Sequence, residues 1–575
     1  MDRAHIAAAL REIAAYLTFR GENQFKVRAY ENGAAALEQL SEDIGAVIAG
    51  KRLTQVRGIG ASLADKIVEL HGTGACALLD ELRAEIPPGV LELAELPDVG
   101  PKKAKALHEA LGVTSKAELE AACVAGKVRT LKGFGPKSED KILAGIRRPP
   151  VRSERTLLAD AIAVGEPLLA YVKTSPAVVA AELAGSLRRW RETVADLDVV
   201  VGSGDAAAVM DHLVRYPPVA AVEARGDTKC TVRLGDGLQV DLRVVPPEDY
   251  ATALHHFTGS KAHHVVLRGR ARDRGLTVSE WGVERLDGSG KVAVGSERAL
   301  YELLELPYIP PELREAEGEF EAAEAGDRFA DLLAYRDVRG LTHCHTTYSD
   351  GKHSVAEMAA AADALGVDYL TITDHSPAAA YAGGVTLDRL KLQWEDIARA
   401  QEGCRVRLLR GCESDILEDG ALDYPDQVLE QLDIVIASIH SRMKMDAAQM
   451  TARLVAAMRH PVFKVWGHPL GRLINQREPF ACDLEAVLDA VAGARAVIEI
   501  NGDPHRFDLE PRWVRLARAR GLRFLVSTDA HSTAQLGYLR YSVAMARRGG
   551  VRRAEVLNAL PVDDFLAAVR PTGTS

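Results

Sequence analysis

The chain has 575 residues, 47% hydrophobic and 26% charged. At roughly 100–200 residues per domain it holds about three to five domains, and global disorder is excluded. Seven cysteines without paired spacing argue against a disulfide scaffold and fit a reducing cytoplasm. The net charge of −10 is uneven: residues 1–150 carry 21 Lys+Arg against 20 Asp+Glu, and the remainder 50 against 61. That balance argues against nucleic-acid binding by bulk electrostatics, while local patches can still grip phosphates.

No apolar run approaches the ~18 residues a membrane span needs, so no membrane is expected. The opening MDRAHIAAALREIAAYL has helical spacing with charge interspersed, an amphipathic helix and not a signal peptide. Residues 1–150 read as helices only. Three segments within them look alike: VRGIGASLADKI (56–67), LPDVGPKKAKAL (96–107) and LKGFGPKSEDKI (131–142). In each, a glycine turn opens a helix, leaving backbone N–H groups for a phosphate. One copy alone reads better as a glycine-capped helix connection. Three copies, two with Pro-Lys after the glycine, favour phosphate binding. They resemble helix–hairpin–helix motifs, which hold the DNA backbone without reading sequence. The residues singled out are Gly58, Gly60, Gly100, Lys102, Lys103, Gly133, Gly135 and Lys137.

A Pro-broken basic linker, Arg147–Arg152, leads to alternating strands at 195–203, 228–237 and 238–246, the last two joined by Gly-Asp-Gly as a hairpin. Asp196 and Asp198 are two apart on one strand and share a face. Asp241, on another strand, can join them. Clustered carboxylates repel unless cations neutralise them, and two Mg²⁺ ions would clamp an in-line phosphoryl displacement. The Gly185-Ser186 turn and Arg189 suit β/γ-phosphates. Asp-x-Asp alone reads more simply as an exposed strand-edge pair.

The longer string is more specific. GSLRR (185–189), the Asp-Leu-Asp that follows, VDLR (240–243) and FTGS (257–260) resemble the nucleotidyltransferase core of family X DNA polymerases, over about 1–315. The resemblance implies that Asp196, Asp198 and Asp241 bind the catalytic Mg²⁺ or Mn²⁺. It places Gly185, Ser186, Arg189, His256, Phe257 and Gly259 at the nucleotide and Arg268 on the template side. Two departures stand out: Ala195 replaces the family's glycine before the first aspartate, and His256 replaces a tyrosine beside the sugar. Lys66 lies where the family's lyase places its Schiff-base lysine; a nucleophile and a phosphate contact both fit it.

Residues 312–334 are rich in Glu and Ala and read as a linker. From 335, short apolar strands alternate with helices: 368–374, 405–413, 433–440, 462–468, 495–501 and 522–531. That order predicts parallel strands with crossover helices, in a barrel. Polar residues stand where the strands end: His343, His345, Asp350, His375, Glu413, His440, His468, Asp529 and His531. Such ends form the active face of a β/α barrel, and imidazole with carboxylate suits Zn²⁺ or Mn²⁺. His353, His460 and His505 fit no such position.

Together these residues resemble the PHP (polymerase and histidinol phosphatase) domain, a distorted β/α barrel with a three-metal site, over about 338–570. The resemblance implies one ion on His343, His345, Glu413 and Asp529. Glu413 bridges to a second ion, held with His440 and His468; Asp350, His375 and His531 hold the third. The ions would be Mn²⁺, Zn²⁺ or both, activating water against a phosphoester. Arg442 and Arg472 are either phosphate contacts or solvated arginines.

The expected chain is therefore multidomain: a helical lyase-like domain (1–90), a helical DNA-binding region (91–150), an α+β polymerase beta-like palm with its nucleotide-binding subdomain (151–315), a linker (316–337) and a PHP barrel (338–575). The whole resembles the bacterial and archaeal family X polymerases. The resemblance implies gap filling in base excision repair, a Mn²⁺-dependent 3′→5′ exonuclease, incision at abasic sites and 3′-end trimming. Gapped or nicked double-stranded DNA and dNTPs are the expected partners of a cytoplasmic, nucleoid-associated monomer. Two rivals are a small-molecule phosphatase of the histidinol-phosphate kind and a DNA-binding scaffold with a dead polymerase.

Overall fold

The computed structural model describes residues 3–38, 44–56, 58–94, 96, 99–147 and 155–569. The basic linker after Arg147 lies outside them. The chain divides into two compact units, Met1–Pro150 and Val151–Ser575.

The first unit contains helices and no strand among its described residues. Its core is aliphatic, built on Leu10, Ile13, Leu17, Ile67, Leu82, Leu107 and Leu119. The repeated glycine segments open the helices Ala61–Thr73, Gly100–Leu111 and Pro136–Arg147. Gly58, Gly100 and Gly133 take φ of +100°, +62° and +91°, the left-handed region where a side chain would be strained. The second copy carries Asp98 where the others have their first glycine, and Asp98 lies outside the described residues.

The second unit begins with a five-stranded sheet in the order 180–183, 196–202, 239–245, 229–234, 219–225. The expected hairpin is present: Lys229–Leu234 runs antiparallel to Gln239–Val245. Asp196–Gly202 lies parallel to Gln239–Val245, with Asp198 directly opposite Asp241. Two strands of this sheet escaped the sequence reading. Ala180–Leu183 is only four residues long. Val219–Arg225 is a half-exposed edge strand without clean alternation.

A small antiparallel sheet (276–279, 282–285, 291–292) and the helices Tyr250–Thr258, Lys261–Asp273 and Glu297–Leu303 follow. Here the expected linker is corrected. Within it, Phe320, Ala323, Phe329 and Leu332 are buried against Leu267, Leu276 and Tyr301. Apolar residues at helical spacing complete a core, so the stretch is packed and not a free tether.

The remaining chain forms seven parallel strands in sequential order: 340–341, 369–372, 407–415, 434–438, 464–466, 496–501 and 524–527. A bridge between Cys344 and Ala530, just beyond the first and last strands, draws the two edges together, so the barrel is nearly closed. Alternate residues of these strands share one face. Toward the strand starts that face is apolar, with Tyr369, Leu409, Ile436, Val465, Val497 and Leu525 clustered on Phe565 of the final helix. Toward the strand ends the same face turns polar, and Glu413, Glu499 and Asn501 follow in phase. The period of two thus places a greasy plug at one end of the barrel and ligands at the other.

Candidate active sites

Asp196, Asp198, Gly185, Ser186, Arg189, His256, Phe257, Gly259 and Arg268 line one cleft of about 620 Å³, together with Ala195. Asp241 lies in an adjoining recess shared with Asp198 and Phe257. Burial, with Asp196 and Asp241 close by, pushes Asp198 up to about 7, and burial with Asp241 raises Asp196. That is the signature of carboxylates crowded without enough positive charge. A hard, all-oxygen donor set of this kind fits Mg²⁺ or Mn²⁺. Asp241 is oriented by Thr231, whose hydroxyl donates at 2.5 Å, and by Gln239 at 3.2 Å. Lys229 stands 3.2 Å from it.

The phosphate side of the cleft is built by close approach. A Cβ on Gly185 would fall 1.9 Å from Asp198 Oδ2. Arg189 is held by Glu315 at 3.1 Å and donates to the Thr258 carbonyl, so its guanidinium is fixed rather than swinging. His256 Nδ1 lies 3.3 Å from His264 Nε2, and Arg243 covers the Phe257 ring. Arg155, Lys261 and His264 also line the cleft and carried no signal in the sequence reading. Lys66, in the other unit, is half-buried and paired with Glu69 at 3.4 Å, with an anion beside it where a nucleophilic lysine needs cations.

At the polar end of the barrel all nine expected side chains converge: His343 Nε2 and His345 Nε2 each lie 3.3–3.5 Å from Glu413 Oε2 and Asp529 Oδ1, and His440 Nε2 and His468 Nε2 lie 3.2 and 2.8 Å from Glu413 Oε1. His345, Asp350, His375 and His531 form one cluster. His343, His345 and Asp529 form a second, and His375, Glu413 and His440 a third. Thus His345 and His375 each stand between two groups. His468 Nε2 is 2.8 Å from Glu413 Oε1. His353, His460 and His505 belong to none of these clusters.

Ligand atoms are buried here without hydrogen-bond partners: His343 Nε2, both ring nitrogens of His345, His375 Nδ1 and Glu413 Oε2. Each such atom costs ~1–3 kcal/mol if left unpaired. Their convergence on one point is what cations would repay, so the residues fit a multinuclear metal site. The electrostatics agree. Burial opposes protonation, yet Glu413 and Asp415 raise His440 to about 9, and Asp350 with Asp529 raises His531 to about 9. Such imidazoles release protons when a metal takes their place.

A second ring of residues was missed. His343 Nδ1 lies 2.5 Å from Glu499 Oε1, which fixes the ring so that Nε2 faces the cluster. Asn501 donates to Asp529 at 3.1 Å, and Asp415 stands 3.2 Å from His440 Nδ1. The signal was there: Glu499 and Asn501 are polar interruptions, two apart, in the apolar strand VIEIN.

One arginine is corrected. Arg472 is buried, pairs with Glu192 at 3.0 Å and Glu510 at 3.1 Å, and donates to the Arg506 carbonyl, so it ties the barrel to the palm and does not face the clusters. Arg442 is exposed and pairs with Glu418.

Family models match four stretches: a helix-hairpin-helix domain at 1–76, a SAM-like helix-hairpin-helix tandem at 90–148, a DNA polymerase beta thumb at 253–315 and a PHP domain at 342–502. Relatives described as probable phosphatases match the barrel region alone. One from Thermoanaerobacter sp. (strain X514) is 31% identical, over 38% of this chain and 89% of its own. One from Caldanaerobacter subterraneus is 34% identical, over 34% of this chain and 77% of its own. The DNA polymerase/3′-5′ exonuclease PolX of Bacillus subtilis is 36% identical over 99% of this chain and 100% of its own. Similarity of that extent, reaching through both helix–hairpin–helix regions, the thumb and the metal-ligand barrel, shows that this chain belongs to the PolX family of bacterial family X DNA polymerases with a C-terminal PHP domain.

Proposed function

We propose that this chain fills short gaps in DNA during base excision repair and, through its barrel, degrades DNA in the 3′→5′ direction. One observation carries the reading. A full-length relative is described as a DNA polymerase/3′-5′ exonuclease, and this chain gathers three carboxylates across a cleft and its adjoining recess and eight clustered ligands, with His468 beside Glu413, at the barrel mouth.

In the cleft, Asp196, Asp198 and Asp241 hold Mg²⁺ or Mn²⁺. Bound there, divalent ions lower the barrier to 3′-hydroxyl attack and neutralise the triphosphate. The protein supplies the frame. Gly185 and Ser186 leave room for phosphate oxygens. Arg189, fixed by Glu315, presents a preset charge. His256, Phe257 and Gly259 border the sugar, and Arg268 meets the template side.

In the barrel, His343, His345, Asp350, His375, Glu413, His440, His468, Asp529 and His531 hold three ions, Mn²⁺ or Zn²⁺. Ions held there would supply an activated water and polarise the phosphoester. Glu499, Asn501 and Asp415 keep the ligands in one orientation. Incision at abasic sites and trimming of blocked 3′ ends belong to the same barrel site. Gly58, Gly60, Gly100, Lys102, Lys103, Gly133, Gly135 and Lys137 grip DNA phosphates, and Lys66 acts there as a phosphate contact. The partners are gapped or nicked duplex DNA and dNTPs, met by a monomer in the cytoplasm at the nucleoid. The domain limits are those expected from the sequence, except that 316–337 packs on the subdomain before it and is no linker.

A small-molecule phosphatase is favoured by one observation, the relatives described as probable phosphatases. They match the barrel alone, whereas two further regions match helix-hairpin-helix models. Primer extension and strand degradation on a gapped duplex, run beside hydrolysis of histidinol phosphate, test the reading. DNA extended and degraded, with histidinol phosphate untouched, supports it; hydrolysis of histidinol phosphate alone overturns it.

A further inference from the structure

Two side chains stand at the mouth of the barrel and have no part in its ligand set. Arg506 lies in the loop after Ala496–Asn501. Its backbone is pinned from both sides: its N–H donates to the Asp503 carbonyl, and its own carbonyl accepts from Arg472. Its side chain is only 20% exposed, with Nε 3.5 Å from Asp529 Oδ2 and 3.9 Å from Asp503 Oδ2. Neither contact is a hydrogen bond, and Nε is buried without a partner. Asp529 and Asp503 offset its charge at ion-pair distance, and the Nε–H that bonds neither is a fixed donor for a further anion at the barrel mouth.

Tyr381 is the opposite case. Its ring is 71% exposed, more than any other large apolar side chain described. The turn that carries it is fixed: Ala379 and Ala382 on either side are buried, and the N–H groups of 379, 382 and 383 are hydrogen-bonded. The ring centroid lies 6.1 Å from those of His375 and of His440. A rigid aromatic face displayed beside a phosphoesterase site is a stacking platform, and every nucleobase offers a π-face.

We propose that Arg506 and Tyr381 form a subsite for the terminal nucleotide of a DNA strand, Arg506 meeting the scissile phosphodiester from the Asp529 side and Tyr381 stacking the base from the His375–His440 side. The inference rests on the barrel being the exonuclease. It explains how a ligand set shared with small-molecule phosphatases takes a strand end: the metal ligands see only phosphate, while Tyr381 asks for a base.

The test uses the full-length protein with Mn²⁺ and single strands ending in thymidine or in a tetrahydrofuran abasic residue. Wild type should prefer the base-bearing end by roughly tenfold or more in kcat/KM, as stacking predicts. Tyr381→Ala should erase that preference through KM, and Tyr381→Phe should keep it. A terminal 2-aminopurine behind a phosphorothioate linkage should be quenched by wild type and Tyr381→Phe, but not by Tyr381→Ala. Arg506→Met should slow both ends alike, Arg506→Lys should restore part of the rate, and bound Mn²⁺ by elemental analysis should match wild type in both. An unchanged preference in Tyr381→Ala, or loss of Mn²⁺ in Arg506→Met, overturns the subsite. Failure of the wild type to degrade either strand overturns the exonuclease reading instead.

Discussion

Gly185 has no room for a methyl group, since a Cβ there would meet the Asp198 carboxylate and the backbone sits at φ +58°. Gly185→Ala should therefore displace Asp198 rather than unfold the sheet. Primer extension should fall by about a hundredfold, the usual cost of misplacing a reacting group by an ångström. Exonuclease activity should persist, because Asp198 belongs to the palm alone. His256 poses a subtler question. It borders the same cleft, leans on His264 and stands 3.8 Å from Glu280. If backbone at Thr258–Gly259 excludes the ribose 2′-hydroxyl, the ring matters little. His256→Tyr should then shift the dNTP/rNTP ratio by less than about tenfold, ~1.4 kcal/mol. Single-nucleotide insertion of dGTP and GTP opposite C measures it, and a hundredfold gain would make the side chain the gate.

Among the elements, the three glycine-opened helices are the proposed DNA grip. Lys102 and Lys137 are exposed in the first turns of their helices, and Lys103 is half-buried. Replacing all three with Glu should weaken every duplex alike. The salt slope should flatten by ~0.9 for each phosphate no longer neutralised. Sequence-selective weakening, read by fluorescence anisotropy from low to high salt, would contradict a backbone grip. Another element is tied by charge. Glu297, at the start of Glu297–Leu303, pairs with buried Arg314 at 2.6 Å and with Arg188 at 2.6 Å. Despite burial, these guanidiniums hold Glu297 down to about 2. A depressed carboxyl contributes its stability above its ordinary 4.5 and loses it as pH falls through about 2. Glu297→Gln should cost roughly 3–5 kcal/mol at neutral pH by stranding Arg314. In urea titrations the gap from wild type should shrink as pH drops from 4.5 toward 2.

What could be read in the sequence at this scale followed period and punctuation. Five of the last six barrel strands announced themselves as apolar runs ending in His, Asp or Glu, the sixth by its apolar run alone, and the carboxylate strands by alternation. The two-residue strand Gly340–Leu341 and the exposed edge Val219–Arg225 gave no pattern to find. The stretch read as a linker failed because its Glu-rich composition hid Phe320, Ala323 and Leu332 at core spacing. At the sites, ligands were legible and their supports were not. Glu499 orients His343 across 156 residues of sequence, and Arg472 meets Glu192 across 280. Such pairs are set by tertiary packing, and neither partner marks the other locally.

At the scale of the molecule, the second unit joins two chemistries by charge. Arg472 and Arg548 reach Glu192, Arg547 reaches Glu312 and Arg540 reaches Glu166. Yet no ligand is shared: the cleft draws on residues 155–268 and the barrel mouth on residues 343–531. One chain thus extends and degrades DNA at two independent sites, on the proposed function. A labelled gapped duplex with Mn²⁺, with and without dNTPs, measures both at once. Wild type should extend when dNTPs are present and shorten the primer when they are absent. Asp198→Ala should only shorten it, and His343→Ala with Glu413→Ala should only extend it. If either variant, still folded, lost both activities, the two-site account would be wrong.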